Sequence, residues 1–351
     1  MEHVEAFLRR LEADAAVIHR PENIRWLSGF AGEGCLFVAP GARVIVTDFR
    51  YIEAAGRQSP GWAVERTTAQ RRESDVLKAL IKDAGARAVG VETDYLTYDA
   101  CVKLDAALEG VGLQPLNGVP EALRQLKDPG EIACIRKACD IASDAFVNIL
   151  PRLHAGMTEI EAKIELEFEM LRLGSEGPAF DTIAASGLNG ALPHAIPSSR
   201  VIQSGELLTL DFGATVGGYR SDITRTVAFG KIGPELRAIY DTVLQAQQMA
   251  LNAIGPGARC CDVDKLARDF IDARYPGAFG HGLGHGVGLN IHEQPRVSFN
   301  DATVLRPGHV VTVEPGVYIP GLGGCRIEDT VIMTSEGAIN AMRAPKHLIE
   351  L

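Results

Sequence analysis

No two of the seven cysteines stand at CxxC spacing in this 351-residue chain, and their number is odd. Scattered, unpaired thiols exclude a disulfide framework and a thiolate zinc finger, and they fit the reducing conditions of a cytoplasm. A basic excess is also missing. Lys and Arg total 35 against 45 Asp and Glu, leaving a net charge of −10 and a pI near 5.4. Nucleic acid and anionic membrane are thereby excluded as main partners. No apolar run approaches the roughly 18 residues of a membrane span. The opening "MEHVEAFLRRLEADAAVIH" is a charged amphipathic pattern followed by a strand, without the basic region and apolar core of a secretory leader.

What is present is the composition of a globular enzyme, 46% apolar and 23% charged, at a length that suits two domains. Up to about residue 120, the strand-like runs "AAVIH", "GCLFVAP", "ARVIVTD", "WAVERT" and "AVGVET" alternate with helical patterns such as "SDVLKALIKDAG". This reads as a small α/β domain. The character changes around Pro120, and a long amphipathic helix is expected from Pro129 to Glu131 onward. The expected domains are therefore 1–120 and 121–351. Within the second, "HAGMTEIEAKIELEFEMLRLG" and "GPGARCCDVDKLARDFIDARYPG" repeat a glycine–turn–helix pattern about a hundred residues apart. Each is followed by histidine-bearing, glycine-rich sequence and then by acid-bearing strands, which suggests two α+β halves facing one another across a site.

The stretch "GHGLGHGVGLNIHE" (280–293) carries His281, His285 and His292 among five glycines. So much glycine argues against a helix and for a loop feeding a short strand, packed close to something bound. Two hairpins flank the question of what that is. "LLTLDFGATVGGYRSDITRTVAFG", turning near Val216 and Gly217, puts Asp211 and Asp222 opposite one another. "HVVTVEPGVYIPGLGGCRIEDTVIMT", centred on Gly321, puts Glu314 opposite Glu328. Opposed like charges inside apolar strands are unfavourable unless a cation lies between them. Four carboxylates and an imidazole suit a pair of divalent ions such as Mn²⁺, Co²⁺ or Zn²⁺. Two such ions can share and acidify a water.

These motifs resemble the metal-dependent "pita-bread" peptidases, in particular the Xaa-Pro branch of prolidases and aminopeptidase P. The resemblance is strong over 120–351 and looser before it, through "NIRWLSGFAGEG" and "VTDFRYIEAA". It implies an α+β fold, a pseudo-twofold duplicated pita-bread catalytic domain preceded by a smaller α/β domain. It also implies five metal ligands, Asp211, Asp222, His285, Glu314 and Glu328, holding two divalent ions, manganese first, with cobalt or zinc as alternatives. Glu314 would also shuttle a proton. His194, in "FDTIAASGLNGALPHAIPS", and His292 would be catalytic, facing substrate, while His281, Arg296 and Arg326 would serve substrate binding. A cytoplasmic homodimer acting on proline-containing di- or oligopeptides is expected, with no nucleic acid or membrane partner.

The bond to proline is a tertiary amide without the N–H that ordinary peptidase clefts use. A dipeptidase also needs a cation for the proline carboxylate, and Arg220, Arg296 and Arg326 are at hand, which favours the dipeptidase over aminopeptidase P. Three other readings stand beside these. Methionine aminopeptidases share the ligand set but fit the N-terminal domain poorly. Creatinase-like hydrolases work without metal, and a non-catalytic binding module would have lost ligands. Cys325 departs from the pattern where an aliphatic residue is expected, as does Arg220, beside Tyr219, in "GGYRSD".

Overall fold

In the computed structural model, which describes residues 2–351, the chain forms two compact units, residues 1–124 and 125–351. The first has six strands: β1 (Ala15–Ile18), β2 (Cys35–Ala39), β3 (Ala42–Thr47), β4 (Ala63–Arg66), β5 (Ala88–Val91) and β6 (Gly112–Pro115). They make one mixed sheet in the order β4-β3-β2-β1-β5-β6. Around it lie α1 (Glu2–Arg10), α2 (Pro21–Ser28), α3 (Ile52–Gln58), α4 (Glu73–Ala84), α5 (Tyr98–Ala107) and α6 (Val119–Arg124). Its core gathers Val17, Phe37, Val46, Leu77, Ile81 and Val89, all buried. The boundary expected at Pro120 falls inside α6. That helix stays with the first unit, where Arg124 donates to the Asn23 side chain at 2.7 Å.

The second unit begins with α7 (Pro129–Ile149) and α8 (Glu159–Arg172). Both start with reciprocal caps, Asp128 with Glu131 and Thr158 with Glu161, each satisfying two otherwise orphaned amides. Then come β7 (Ile183–Ser186), β8 (Leu207–Phe212), the short β9 (Thr215–Val216) and β10 (Tyr219–Arg220), and β11 (Ile223–Ala228). The pattern repeats with α9 (Pro234–Ala253), α10 (Cys260–Asp272), β12 (Gly284–Gly286), β13 (Glu293–Val297), β14 (Val310–Val313), β15 (Gly316–Ile319), β16 (Gly323–Arg326), β17 (Asp329–Thr334) and β18 (Gly337–Asn340). The first half carries the sheet β11-β8-β7 and the second the sheet β13-β12-β14-β17-β18.

The duplication reaches down to single bridges. Thr158, capping α8, pairs with Val201, and Arg259, capping α10, pairs with Val304. Each half has its own buried core, one around Phe146, Leu166, Leu210 and Phe212, the other around Tyr240, Val243, Val311 and Val331. Among the described residues, no helix is long and apolar enough to cross a membrane.

Candidate metal centre

The two acid-bearing hairpins meet in the second unit. In the first, Thr224 pairs with Asp211 and Tyr219 with Val216, so the turn is Gly217–Gly218, one residue later than expected. Both glycines have positive φ, 58° and 76°, which a two-residue hairpin turn of this kind demands. The shift moves Asp222 from directly opposite Asp211 to a diagonal position. Because it changes the pairing by an even number, both carboxylates stay on one face. Gly213, facing Asp222 in this register, has no room for a side chain: a Cβ there would lie 1.9 Å from the Ser221 carbonyl oxygen.

The second hairpin holds one register from Val310↔Ile332 through Val313↔Asp329 and on through Gly316↔Arg326, centred on Gly321. Glu314 and Glu328 face one another at the gap between those two ladders. There each backbone amide turns outward, Glu314 to the Leu283 carbonyl at 2.8 Å and Glu328 to the Thr224 carbonyl at 3.1 Å.

His285 sits mid-strand in β12, its amide held by the Thr312 hydroxyl at 3.0 Å. Its Nδ1 bonds the Gly286 carbonyl at 3.0 Å and must be the donor there. With Nδ1 so engaged, Nε2 is the atom turned toward Glu314 Oε1 at 3.3 Å and Asp222 Oδ2 at 3.4 Å, and its lone pair is what a metal ion would meet there. Ligand atoms of Asp222, His285 and Glu328 all lie within 4.8 Å of one another, and all three residues are buried.

Electrostatics describe a site short of positive charge. Burial, then repulsion from Glu328 and Asp211, pushes the Asp222 carboxyl well above the usual range. Burial, then Glu314 and Asp211, does the same to Glu328. Burial also raises Asp211, with the Arg326 charge pulling the other way. For Glu314 burial is outweighed by the His285 ring, by His281 and by Arg326, which hold it at about 2. Asp211 Oδ1 is buried with no hydrogen-bond partner, a rare and costly state. A divalent ion fits this donor set: it would meet the orphaned oxygen and the Nε2 lone pair, and it would neutralise the crowded carboxylates.

Arg326 is the hub beneath the acids. It donates to Asp211 Oδ2, to Tyr318 Oη at 2.8 Å, to the Pro193 carbonyl at 3.2 Å and to Thr224 Oγ1 at 3.2 Å. Thr224 passes its own hydroxyl hydrogen to Glu328 Oε2 at 2.7 Å. Every guanidinium nitrogen is thus committed and the side chain is 4% exposed, so Arg326 braces the carboxylates where substrate contact was expected. His281 is likewise tied inward. Its Nδ1 donates to the Gly282 carbonyl at 2.8 Å and its Nε2 meets the Tyr318 hydroxyl at 2.9 Å.

His292 stacks edge-on to His285 with centroids 4.4 Å apart. Although the residue is largely exposed, desolvation of the packed ring, then the His285 and Arg296 charges, lowers it to about 4, so the ring is neutral at neutral pH. His194 is exposed and near enough to contribute to that lowering. Arg296 pairs with His285 across β13 and β12, which puts both side chains on one face, and it is exposed. Arg220 turns its guanidinium to the Ala179 carbonyl at 2.6 Å, while its amide bonds the Gly288 carbonyl at 2.9 Å.

Sequence reading missed Thr224, Tyr318 and Thr312, whose hydroxyl contacts both the His285 amide and Glu314 Oε1. Tyr318 and Thr224 lie inside the quoted motifs "VEPGVY" and "SDITRT", four and two residues from an acid, which is the only signal they offered.

Comparison with known proteins accounts for both units. Residues 133–335 match the model of metallopeptidase family M24, and residues 1–126 match the creatinase/prolidase N-terminal domain. An Xaa-Pro dipeptidase of Pyrococcus horikoshii is 36% identical, covering 98% of this chain and 96% of its own length. The solved structure of an Xaa-Pro dipeptidase from Bacillus anthracis superposes with a TM-score of 0.96 at 40% identity, covering 100% of this chain and 99% of that one. That of an X-Pro aminopeptidase from Thermotoga maritima gives 0.92 at 33%, covering 98% and 99%. The duplicated second unit is thus the pita-bread domain, preceded along the chain by a creatinase/prolidase N-terminal domain. With its crowded acids and its imidazole lone pair calling for cations, the chain belongs to metallopeptidase family M24, hydrolases of peptides that work with divalent metal ions.

Proposed function

We propose that the protein is a two-metal exopeptidase that cleaves the bond between an N-terminal residue and proline, with Xaa-Pro dipeptides as its preferred substrates. The observation that carries this reading is the donor set of the centre, four carboxylates and an imidazole clustered together and largely buried, without a thiolate. The relatives named Xaa-Pro dipeptidase support the substrate class. Asp211, Asp222, His285, Glu314 and Glu328 would hold the ions, manganese first, with cobalt or zinc as alternatives. Bound there, a pair of divalent ions supplies Lewis acidity, acidifying water and polarising the scissile carbonyl.

The chain's own groups do the rest. Glu314, held at Oε1 by the Thr312 hydroxyl, takes a proton from the attacking water. It passes that proton to the proline nitrogen as the C–N bond breaks, and the water oxygen stays on the acyl carbon. His292 and His194, on the open side, orient the substrate. Arg296, exposed on the His285 face, is the cation available to a dipeptide's terminal carboxylate, a directional contact where desolvated. Arg326 and His281 steady the acids from behind rather than touching substrate.

Turnover of Ala-Pro, Ala-Pro-Ala and Ala-Pro-NH₂ by the metal-loaded enzyme tests the proposal. Ala-Pro is expected to be fastest, and Arg296→Ala should raise its KM. Faster turnover of the tripeptide and amide would instead establish an aminopeptidase P, a reading that the Thermotoga maritima likeness favours. No hydrolysis of any of the three would end the Xaa-Pro assignment.

A homodimer is part of the proposal. Ile160, Ile164, Phe168 and Leu171 make an exposed apolar row along α8, with Phe168 56% exposed, a face suited to a second copy. Phe168→Glu should shift the mass in solution toward the monomer; a dimer unmoved by it would take the interface elsewhere. The free thiols suit a cytoplasmic location.

A further inference from the structure

The first unit brings three different metal-binding side chains together away from the carboxylate centre. β1 and β2 are antiparallel with Ile18 opposite Leu36, so the next pair along is His19 and Cys35, directed to one face. Glu73, the first residue of α4, closes the group. His19 Nε2 lies 3.0 Å from Glu73 Oε1, and the Cys35 thiol lies close enough to feel the charge of the same carboxylate. A ligand atom of each residue lies within 4.8 Å of the other two.

The His19 ring thus directs a hydrogen at the Glu73 carboxylate through Nε2. The other ring nitrogen, His19 Nδ1, is buried without a partner. An unpaired buried nitrogen costs stability unless something uses it. The Cys35 thiol is wholly buried, while the side chains of His19 and Glu73 are 16% and 41% exposed. The group is therefore closed on the thiol side and open to water on the other.

We propose that His19, Cys35 and Glu73 form a binding site for a borderline divalent cation of the Zn²⁺ type, with water completing its coordination. The charges balance. One thiolate, one carboxylate and a neutral imidazole cancel the two positive charges of the ion, so no net charge is left in a half-buried place. Binding forms the Cys35 sulfur–metal bond and releases the thiol proton to solvent, one proton per ion, with no redox step. The mixed sulfur, nitrogen and oxygen donors select zinc-like ions over Mg²⁺ or Ca²⁺. The ion would tie the end of β1 and the start of β2 to the first turn of α4, a stabilising rather than catalytic role.

The test is Co²⁺ titration of the full-length, metal-stripped protein, followed by its near-ultraviolet thiolate-to-cobalt absorption. The proposed catalytic ligands contain no thiolate, so this band reports thiolate ligation outside that centre, and Cys35→Ser assigns it to the N-terminal site. It should grow to a plateau, be bleached by Zn²⁺ and be missing from Cys35→Ser. His19→Gln and Glu73→Gln, which alter partly exposed side chains, should each raise the half-saturating Co²⁺ concentration at least about tenfold, since loss of an outer partner alone costs that much. Both should leave Xaa-Pro hydrolysis by the metal-loaded enzyme unchanged. No band at millimolar Co²⁺, a band persisting in Cys35→Ser, or one indifferent to both glutamine variants would overturn the proposal.

Discussion

The two acid-bearing hairpins are built to the same plan and differ in where the plan is broken. In the first, Asp211 lies inside a continuous ladder opposite Thr224, and the ladder fails only beyond Ile223, at Asp222. In the second, both glutamates occupy the gap between two ladders that share one register. The consequence is in the amides. Those of Glu314 and Glu328 are released from their own hairpin and bond Leu283 and Thr224 instead. The hydroxyl of Thr330 reaches back to the Asp222 carbonyl at 2.8 Å, and that of Thr226 to the Arg326 carbonyl at 2.8 Å. The second hairpin is therefore the one that stitches the halves together, and it does so at the residues proposed to hold metal. The short Asp211 can stay in regular strand. The longer glutamates, reaching in from the gap, give up regular pairing, and Glu328 gains a tie to the other half.

The sharpest way to break this comparison is to remove one carboxylate from each hairpin. Asp222→Asn and Glu328→Gln should each lower turnover by about a thousandfold or more, since the ions contribute several kcal/mol to the transition state. Metal content, measured by elemental analysis, should fall with it. In the metal-stripped protein neither variant should lower Tm, because each removes one of several mutually repelling buried carboxylates. A stripped variant melting well below stripped wild type would mean that the acids stabilise the fold rather than burden it.

Thr224→Val probes the junction with a smaller effect. It deletes the hydroxyl shared by Glu328 and Arg326 and leaves the Thr224 carbonyl to receive the Glu328 amide. Metal affinity or activity should fall about 10- to 100-fold, as for other partners behind a metal ligand. Equal activity and affinity in the variant would show that the backbone tie alone positions Glu328.

The smallest expected effect separates the hairpins by acid. His309 opens the second, buried, with Nδ1 accepting the Arg306 amide at 3.0 Å. Burial, then the Lys127 and Arg306 charges, pushes this ring down to about 4. An unfolded histidine titrates near 6.5, so between about pH 6.5 and 4 only the unfolded chain takes the proton. Its stabilising contribution is full above about pH 6.5 and is lost as pH falls toward 4. The first hairpin opens on Glu206, paired with Arg200, and has no histidine. His309→Leu should therefore flatten part of the decline in Tm between pH 6.5 and 4.5. A decline of unchanged slope would assign it to other groups.

Much of this was legible locally. The alternation of strand and helix in the first unit, the caps of α7 and the turn at Gly321 all follow from residues within a few positions of one another. The glycine pair in "TVGG" was misplaced by one residue, because the turn was centred on Val216 and Gly217 when the two positive-φ positions call for Gly217 and Gly218. The acids kept a common face regardless, since a strand repeats every two residues. What escaped was non-local. Arg326 gives no local sign that its partners are Asp211 and Pro193, more than a hundred residues earlier. The fully buried Arg225 gives none that it bonds Asp329 and the carbonyls of Ala344 and Pro345. Such contacts depend on how the halves dock, which no window of sequence contains.

The Glu328–Thr224 tie also orders events during synthesis. When the chain has been made only as far as β13, Asp211, Asp222 and His285 exist, but neither glutamate does. Arg326, the partner of Asp211, is still missing, and the amide that will reach Thr224 has not yet been made. A growing chain can close its first sheet and wait, with its acids still in water, since burying them together is unfavourable without a counter-charge. The donor set of the centre is thus complete only once the second hairpin has been made.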